Sequence, residues 1–209
     1  MFRLVLVLSD VAPMPRNHIA NVECAQKASF SREPIIPQVE RNSKMTKIVD
    51  VLLDSFNHEA KQAKVVLASA KSVDMDYTPG QGMKPLKELA NHLAQIPSLD
   101  HRMYSREIET VEQAQAQEKE LSRDDLDGML SVFDDGIAAV NAKFRDMSDK
   151  DLLENKLKPF YETRSEKNWA YYMPEFIRHI AMHKMQLWMY LKLAGAKVDM
   201  MTYYGVPPK

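Results

Sequence analysis

The sequence predicts an all-α protein, an antiparallel four-helix bundle with a short irregular or β-containing connection before the last helix. Four segments repeat apolar residues at helical spacing, turn residues separate these segments, and no convincing set of alternating strands accompanies them. Apolar residues make up 45% and charged residues 27% of the 209 residues, which is ordinary for a globular protein. The chain is therefore long enough for one domain with a sizeable core.

The first two helices are predicted over residues 46–72 and 85–109, and the turn-rich stretch DYTPGQG separates them. Pro85 is a favourable residue for the first turn of the second helix. Because Pro97 removes a backbone N–H inside that helix, we expect a kink or a break there. The residues of its seam are spaced 3, 4, 3 and 4 apart: Leu89, His92, Ile96, Leu99 and Met103.

The third helix is predicted to open at SRDDLDGML, with Ser122 or Asp124 as its N-cap, and its apolar seam continues to Phe144. Residues 148–165 break this periodicity and predict a loop or a short strand. The fourth helix is predicted over 168–194, with Gly195 as a natural C-cap.

Residues 1–44 show no sustained periodicity and contain four prolines: Pro13, Pro15, Pro34 and Pro37. They therefore predict a poorly ordered leader before a bundle domain over 45–209. A natural start at Met45 is the alternative. The apolar run Leu4–Leu8 is shorter than the core of a secretory signal, and no run approaches the roughly 18 apolar residues of a membrane span. We therefore expect a cytoplasmic protein without a membrane partner.

Charge and cysteine content exclude several classes of site. A net charge of -1 gives no general attraction to nucleic acid, so we expect no nucleic-acid partner. Cys24 is the single cysteine, which excludes an intrachain disulfide and a zinc site built on several thiolates. A metal would have to be held by histidines and carboxylates. A homodimer is a possible assembly.

Three histidines fall where the predicted seams would meet. His179 and His183 are four residues apart on the last helix, and His183 occupies a gap in its apolar seam, whereas His92 lies on the seam of the second helix. Each could be a core histidine bonded to a backbone carbonyl. Alternatively, one divalent cation would satisfy all three imidazoles at once. From the residues alone, these interpretations weigh about equally.

Three imidazoles plus an open position form the ligand pattern of catalytic zinc, although zinc, nickel, iron and copper all accept imidazole. Glu175, one turn before His179, and Glu59, beside the seam of the first helix, are candidates for a fourth ligand. A solvated carboxylate is the interpretation that we favour for both glutamates. We also favour core filling over copper binding for three methionines of the last helix: Met182, Met185 and Met189.

The motifs ELANHLAQIPSLDHRM, HIAMHKMQLWMYLKLAG and YYG resemble, in this order, the DinB-like superfamily of helical bundles related to YfiT, over residues 46–205. The resemblance implies a four-helix bundle that binds a divalent metal, zinc or nickel first and iron next, through His92, His179 and His183. Gln186 matches the glutamine of the family pattern HxxxHxxQL. We expect it to bond a ligand or a bound water rather than the ion itself.

Some members of this superfamily are transferases or isomerases that use bacillithiol, mycothiol or glutathione. The resemblance therefore implies a metal-dependent thiol S-transferase whose partners are a small thiol and an electrophile. The alternative is a non-enzymatic, metal-stabilised stress-response or interaction protein. A metal-dependent hydrolase is a weaker alternative interpretation, because hydrolysis by a metal-bound water needs a general base beside the site. A site closed by four protein ligands would favour the structural role, and an open position would favour catalysis.

Overall fold

The computed structural model of the protein describes residues 47–208, and the predicted leader over 1–44 lies outside them. Within that range, a single turn of 3-10 helix, Ser69–Ser72, extends the first of the α-helices. These helices are α1 Ile48–Ala68, α2 Leu86–Tyr104, α3 Val111–Leu121, α4 Leu126–Arg145, α5 Asp149–Glu154, α6 Trp169–Leu193 and α7 Met200–Tyr203. None of these helices is long and apolar enough to cross a membrane.

The connection between α5 and α6 is irregular, as predicted, and contains one antiparallel β-bridge, although the helix α5 lies within residues 148–165, which were predicted as a loop or a short strand. Leu157 and Lys167 each donate a backbone N–H to the carbonyl of the other, at 2.7 and 2.9 Å. No longer strand is present among residues 47–208. The prediction of an all-α bundle with a β-containing connection before the last helix is confirmed.

Four long helices surround the core, and each packs against two neighbours. α1 and α2 both contact α4 and α6, so α1 and α2 lie across the bundle from each other. The core is filled mainly by aliphatic and aromatic side chains from these four helices, with Phe56, Phe133, Phe144, Trp169 and Phe176 among the largest buried ones. The His-bearing helices α2 and α6 are therefore direct neighbours.

Two of the four neighbouring helix pairs, α1 with α4 and α2 with α6, are antiparallel. Asn57 and Asn141 exchange side-chain hydrogen bonds of 2.8 Å, while Lys64, further along α1, pairs with Asp134, which is earlier in α4. α2 and α6 show the same reversal, in the ring contacts of His92 with His183 and of Tyr104 with Phe176.

In the other two pairs, the helices run in the same direction. Phe56 packs on Phe176, and Gln62, further along α1, meets Lys184, which is further along α6. Between α2 and α4, the contacts are those of Lys87 with Asp124 and of Pro97 with Gly136. Only two of the four neighbouring pairs, α1 with α4 and α2 with α6, are antiparallel, because the connection from α1 to α2 crosses the bundle diagonally.

Pro97 does not break α2, so of the expected kink or break, the break is wrong. The helix continues through it to Tyr104, and the proline packs against Gly136 of α4. A Cβ atom at position 136 would lie 2.8 Å from Pro97 Cβ and 2.9 Å from the backbone N of Ser98. Glycine is therefore required here because the two helix backbones approach so closely.

Other boundaries also differ from the sequence-based expectation. α2 ends at Tyr104 rather than near 109, and a further helix, α3, follows it. α4 begins after Asp125, whose side chain caps Gly128 N, and not after Ser122 or Asp124. Periodicity does not predict α3, because Gln117 is the residue that this helix buries and it carries no apolar stripe.

The three methionines of α6 are not core residues, which corrects the favoured interpretation. Met182, Met185 and Met189 are 56%, 41% and 48% exposed, and they lie on the outer face of the helix. Their spacing of three and four residues is helical, so periodicity did not distinguish an outer apolar stripe from an inner one.

Candidate metal centre

α6 is fixed at both ends and along one side. Asn168 caps its N-terminus by accepting a hydrogen bond from Tyr171 N. Its C-terminus closes as a Schellman motif, in which Gly195 has a φ of +84° and Ala196 N donates to Leu191 O. The side chains that face the core are fully buried: Phe176, Ile180, Leu187 and Leu191. This packing sets the rotation of α6 and turns His179 and His183 toward α2.

The three predicted histidines lie together between α2 and α6. The ring centroid of His92 is 4.4 Å from that of His183 and 5.7 Å from that of His179, and the His179 and His183 centroids are 4.9 Å apart. One nitrogen from each ring lies within 4.8 Å of the other two. Within residues 47–208, no carboxylate or thiol joins this group.

Hydrogen bonds fix the orientation of two of these rings. His179 Nδ1 lies 2.8 Å from Asp100 Oδ2, and His183 Nδ1 lies 3.0 Å from Gln186 Oε1. Both partners are acceptors, so each Nδ1 carries the hydrogen and each Nε2 keeps a free lone pair. Within the described part of the chain, no hydrogen bond holds the ring of His92.

The site keeps at least two of its imidazoles neutral. Burial lowers the pKa of His92 to about 3, and the neighbouring charges of His183, His179 and Lys84 lower it in the same direction. Burial and then the charge of His179 lower the pKa of His183 to about 4, although the hydrogen bond to Gln186 acts in the opposite direction. Neutral imidazole is the form that binds a metal ion.

The donor set fits a divalent metal. Two nitrogens bound at about 2.1 Å to one ion can be at most about 4.2 Å apart, so a small closure of the rings would bring all three onto it. His92, His179 and His183 would be the ligands, and the group could hold a metal. Imidazole ligands suit zinc, nickel, iron and copper alike.

The two candidate carboxylate ligands have partners elsewhere. Glu175 forms an ion pair with Arg178 on the same helix, and Glu59 Oε1 lies 2.7 Å from Lys184 Nζ. Gln186, by contrast, contacts a histidine of the group.

Lys184 is a buried cation that the sequence did not reveal. It is 1% exposed, its Nζ donates to Gln62 Oε1 at 2.5 Å, and it lies 4.1 Å from the centre of the Tyr203 ring. Together with Glu59, these groups surround the ammonium with a carboxylate, an amide oxygen and an aromatic face. The charge of Lys184 is therefore paired with groups of the described part of the chain.

Asp100 was also missed. It lies two turns after His92 on α2, on nearly the same face, and it is 2% exposed. An acidic residue at i+8 from a candidate ligand, directly beside an apolar seam, is a signal that could have identified it. Asp at such a position is ordinarily taken as solvated, because carboxylates are rarely buried without a partner.

A comparison with solved structures agrees with the fold. No protein family and no curated protein matches this sequence. Solved structures do match, among them the crystal structure of a DinB-like protein from Bacillus cereus, with a TM-score of 0.52 and 18% identity. The match covers 72% of this chain and 95% of that chain. The chain therefore has a DinB-like fold, as the resemblance predicted.

Proposed function

We propose that the protein binds one divalent metal ion through His92, His179 and His183, and that it uses this site as a metal-dependent S-transferase or isomerase for a low-molecular-weight thiol. The observation that carries the proposal is a set of three imidazoles whose nitrogens gather at one place without a fourth side-chain ligand from residues 47–208. Three protein ligands with an open position are the catalytic arrangement.

The residues of this chain have separable tasks in that function. Burial keeps His92 and His183 neutral, so that both can bind a cation at neutral pH. Asp100 and Gln186 hold two of the rings with Nε2 free. A divalent ion bound there would lower the pKa of a ligating thiol and favour its thiolate. The electrophile would then be attacked by the sulfur, as its leaving group departs with the bonding electrons.

A hydrolase is less well supported, because neither candidate base is unpaired. Glu59 is paired with Lys184, and Glu175 is paired with Arg178. We place the thiol chemistry in the cytoplasm, where small thiols are kept reduced. Zinc and nickel are the metals that we expect first.

Two measurements test the proposal in order. Elemental analysis of the purified full chain should find close to one zinc or nickel per molecule, and His183→Ala should lose it. The loaded protein should then accelerate the reaction of glutathione, bacillithiol or mycothiol with an electrophile such as monochlorobimane. A protein that binds metal but accelerates none of these reactions would support the non-enzymatic alternative. A protein that binds no metal would refute the proposal itself.

A further inference from the structure

The three histidines of the site are held unequally. His179 has a carboxylate on Nδ1, His183 has a neutral amide, and His92 has no hydrogen-bonding partner within residues 47–208. The carboxylate is also the most deeply buried of these partners, since Asp100 is 2% exposed whereas Gln186 lies at the surface. The inequality suggests that Asp100 has a specific task.

A buried carboxylate is costly unless it has strong partners. Within the described part of the chain, the hydrogen bond of the Asp100 side chain goes to His179, at 2.8 Å. No lysine or arginine among residues 47–208 forms an ion pair with it. Two of its neighbours along α2, Ile96 and Leu99, are buried and apolar. Burial, and then the charge of Asp100, raise the pKa of the nearby phenols of Tyr104 and Tyr161. The imidazole of His179 is the group with which the Asp100 side chain forms a hydrogen bond within residues 47–208.

We infer that Asp100 is a positioning residue, whose carboxylate holds His179 as the Nδ1–H tautomer and strengthens its Nε2 as a metal donor. The inference rests on the proposed metal site. An ionised carboxylate can only accept, so the shared hydrogen lies on Nδ1 and the lone pair lies on Nε2. Its negative charge also raises the electron density of the ring, as outer carboxylates do for other metal-bound histidines. His179 is therefore the strongest of the three donors.

Asp100→Asn is the sharpest variant, because asparagine can still accept a hydrogen bond but carries no charge. We expect zinc affinity, measured in the full chain by competition with a chromophoric chelator, to fall by about 10–100-fold. The absorption spectrum of the cobalt-loaded protein should shift as well, because the ligand field changes. Asp134→Asn is the matched control, since Asp134 forms an exposed ion pair with Lys64 and should leave both readouts unchanged.

A purely structural role for Asp100 makes a different prediction. Asp100→Asn would then lower the thermal midpoint of the chelator-treated protein and leave zinc affinity and the cobalt spectrum as in wild type, which would overturn the inference. Nitrogen NMR of metal-free wild type gives a second, independent readout. His179 protonated on Nδ1 supports the inference, and His179 protonated on Nε2 overturns it, even if the variant does not fold.

The same measurements separate this inference from the proposed function. If wild type binds neither zinc nor nickel, the proposed function fails, and the tautomer of His179 alone decides whether Asp100 orients the ring. If wild type binds zinc but Asp100→Asn binds it equally well, the metal site stands and the inference about Asp100 is wrong.

Discussion

His183 and Lys184 are adjacent on α6, yet they face different helices and have different surroundings. The buried seam of α6 passes between them, so that His183 turns toward α2 and Lys184 turns toward α1. Lys184 is surrounded by a carboxylate, an amide oxygen and an aromatic ring of this chain. In the histidine group, His179 and His183 each have a partner on Nδ1, while their Nε2 atoms have no hydrogen-bond partner within residues 47–208.

The difference separates a structural polar cluster from a ligand site. Both clusters are polar groups in or beside the core, and burial alone does not distinguish them. A structural cluster is satisfied internally, because an unpaired buried polar atom costs about 1–3 kcal/mol. A group of three imidazoles whose nitrogens lie this close together, without a carboxylate among them, could instead hold a metal ion.

The largest expected effect is the loss of metal binding in His183→Ala. Removing one of three ligands should weaken zinc binding by more than the roughly 100-fold that outer residues reach. The stability of the chelator-treated protein should change little, because His183 is partly exposed and its partner Gln186 lies at the surface. Chelator competition and thermal melts measure the two effects. Zinc binding as tight as in wild type would refute the assignment of His183.

Lys184→Met should have the opposite profile. It leaves Glu59 without its cation in a mostly buried position, so we expect a loss of about 3 kcal/mol in the free energy of unfolding. Zinc affinity, measured well below the melting temperature, should stay close to that of wild type. The double variant Lys184→Met, Glu59→Leu should recover part of the stability, because no unpaired charge remains. A single variant as stable as wild type would contradict the prediction.

Acid should lower the folding stability of the metal-free protein by protonating His92 and His183. Burial lowers the pKa of His92 to about 3 and that of His183 to about 4 in the folded protein. In the unfolded chain, the pKa of each histidine is near 6.5, so between about pH 4 and pH 6.5 the unfolded chain binds more protons than the folded one. Stability of the metal-free protein therefore falls as the pH drops from about 6.5 toward 4. In a variant with both residues changed to glutamine, thermal melts over this range should show a weaker dependence on pH. An equal dependence in both proteins would count against the burial of neutral rings.

Gly136→Ala tests whether the position of α2, and thus of His92, depends on its contact with α4. The added Cβ would come within 3.0 Å of Pro97 and of the backbone of Ser98, which cannot give way as a flexible side chain can. We expect a loss of about 1–3 kcal/mol in stability, although alanine is the better helix former. In the control Gly128→Ala, the new Cβ meets the flexible side chain of Arg123, so urea unfolding should show little change or a gain.

Much of this arrangement was predictable from spacing. Seams with intervals of three and four residues predicted the four long helices, and the same seams brought His92 to the level of His179 and His183. The polar helix α3 was not predictable in this way, because it has no apolar stripe. Its one local signal is Thr110 followed by Gln113, the start of a capping box, and Thr110 does accept a hydrogen bond from Gln113 N.

The partners of the buried charges could not be predicted from one helix at a time. Lys184 and Asp100 both read as solvated residues, because each is charged and neither breaks a helical pattern. Their burial depends on groups far along the chain, Glu59 and His179 respectively. Sequence spacing shows which face of a helix a residue lies on, but it does not show which residue of the neighbouring helix contacts it.

Gln186→Ala should have the smallest effect, and it measures how much a neutral partner contributes. Gln186 Oε1 accepts from His183 Nδ1 at 3.0 Å, and the amide is exposed, so water can replace it. We expect zinc affinity to fall by about 10-fold, the lower limit for outer residues, with no change in the stability of the metal-free protein. Exchange of the neighbouring Met185, which is also exposed, for Gln is the control. If Gln186→Ala weakens binding as much as Asp100→Asn does, the charge of Asp100 contributes nothing beyond its hydrogen bond. If it has no effect at all, water orients His183 as well as the amide does, and Gln186 belongs to the solvated face.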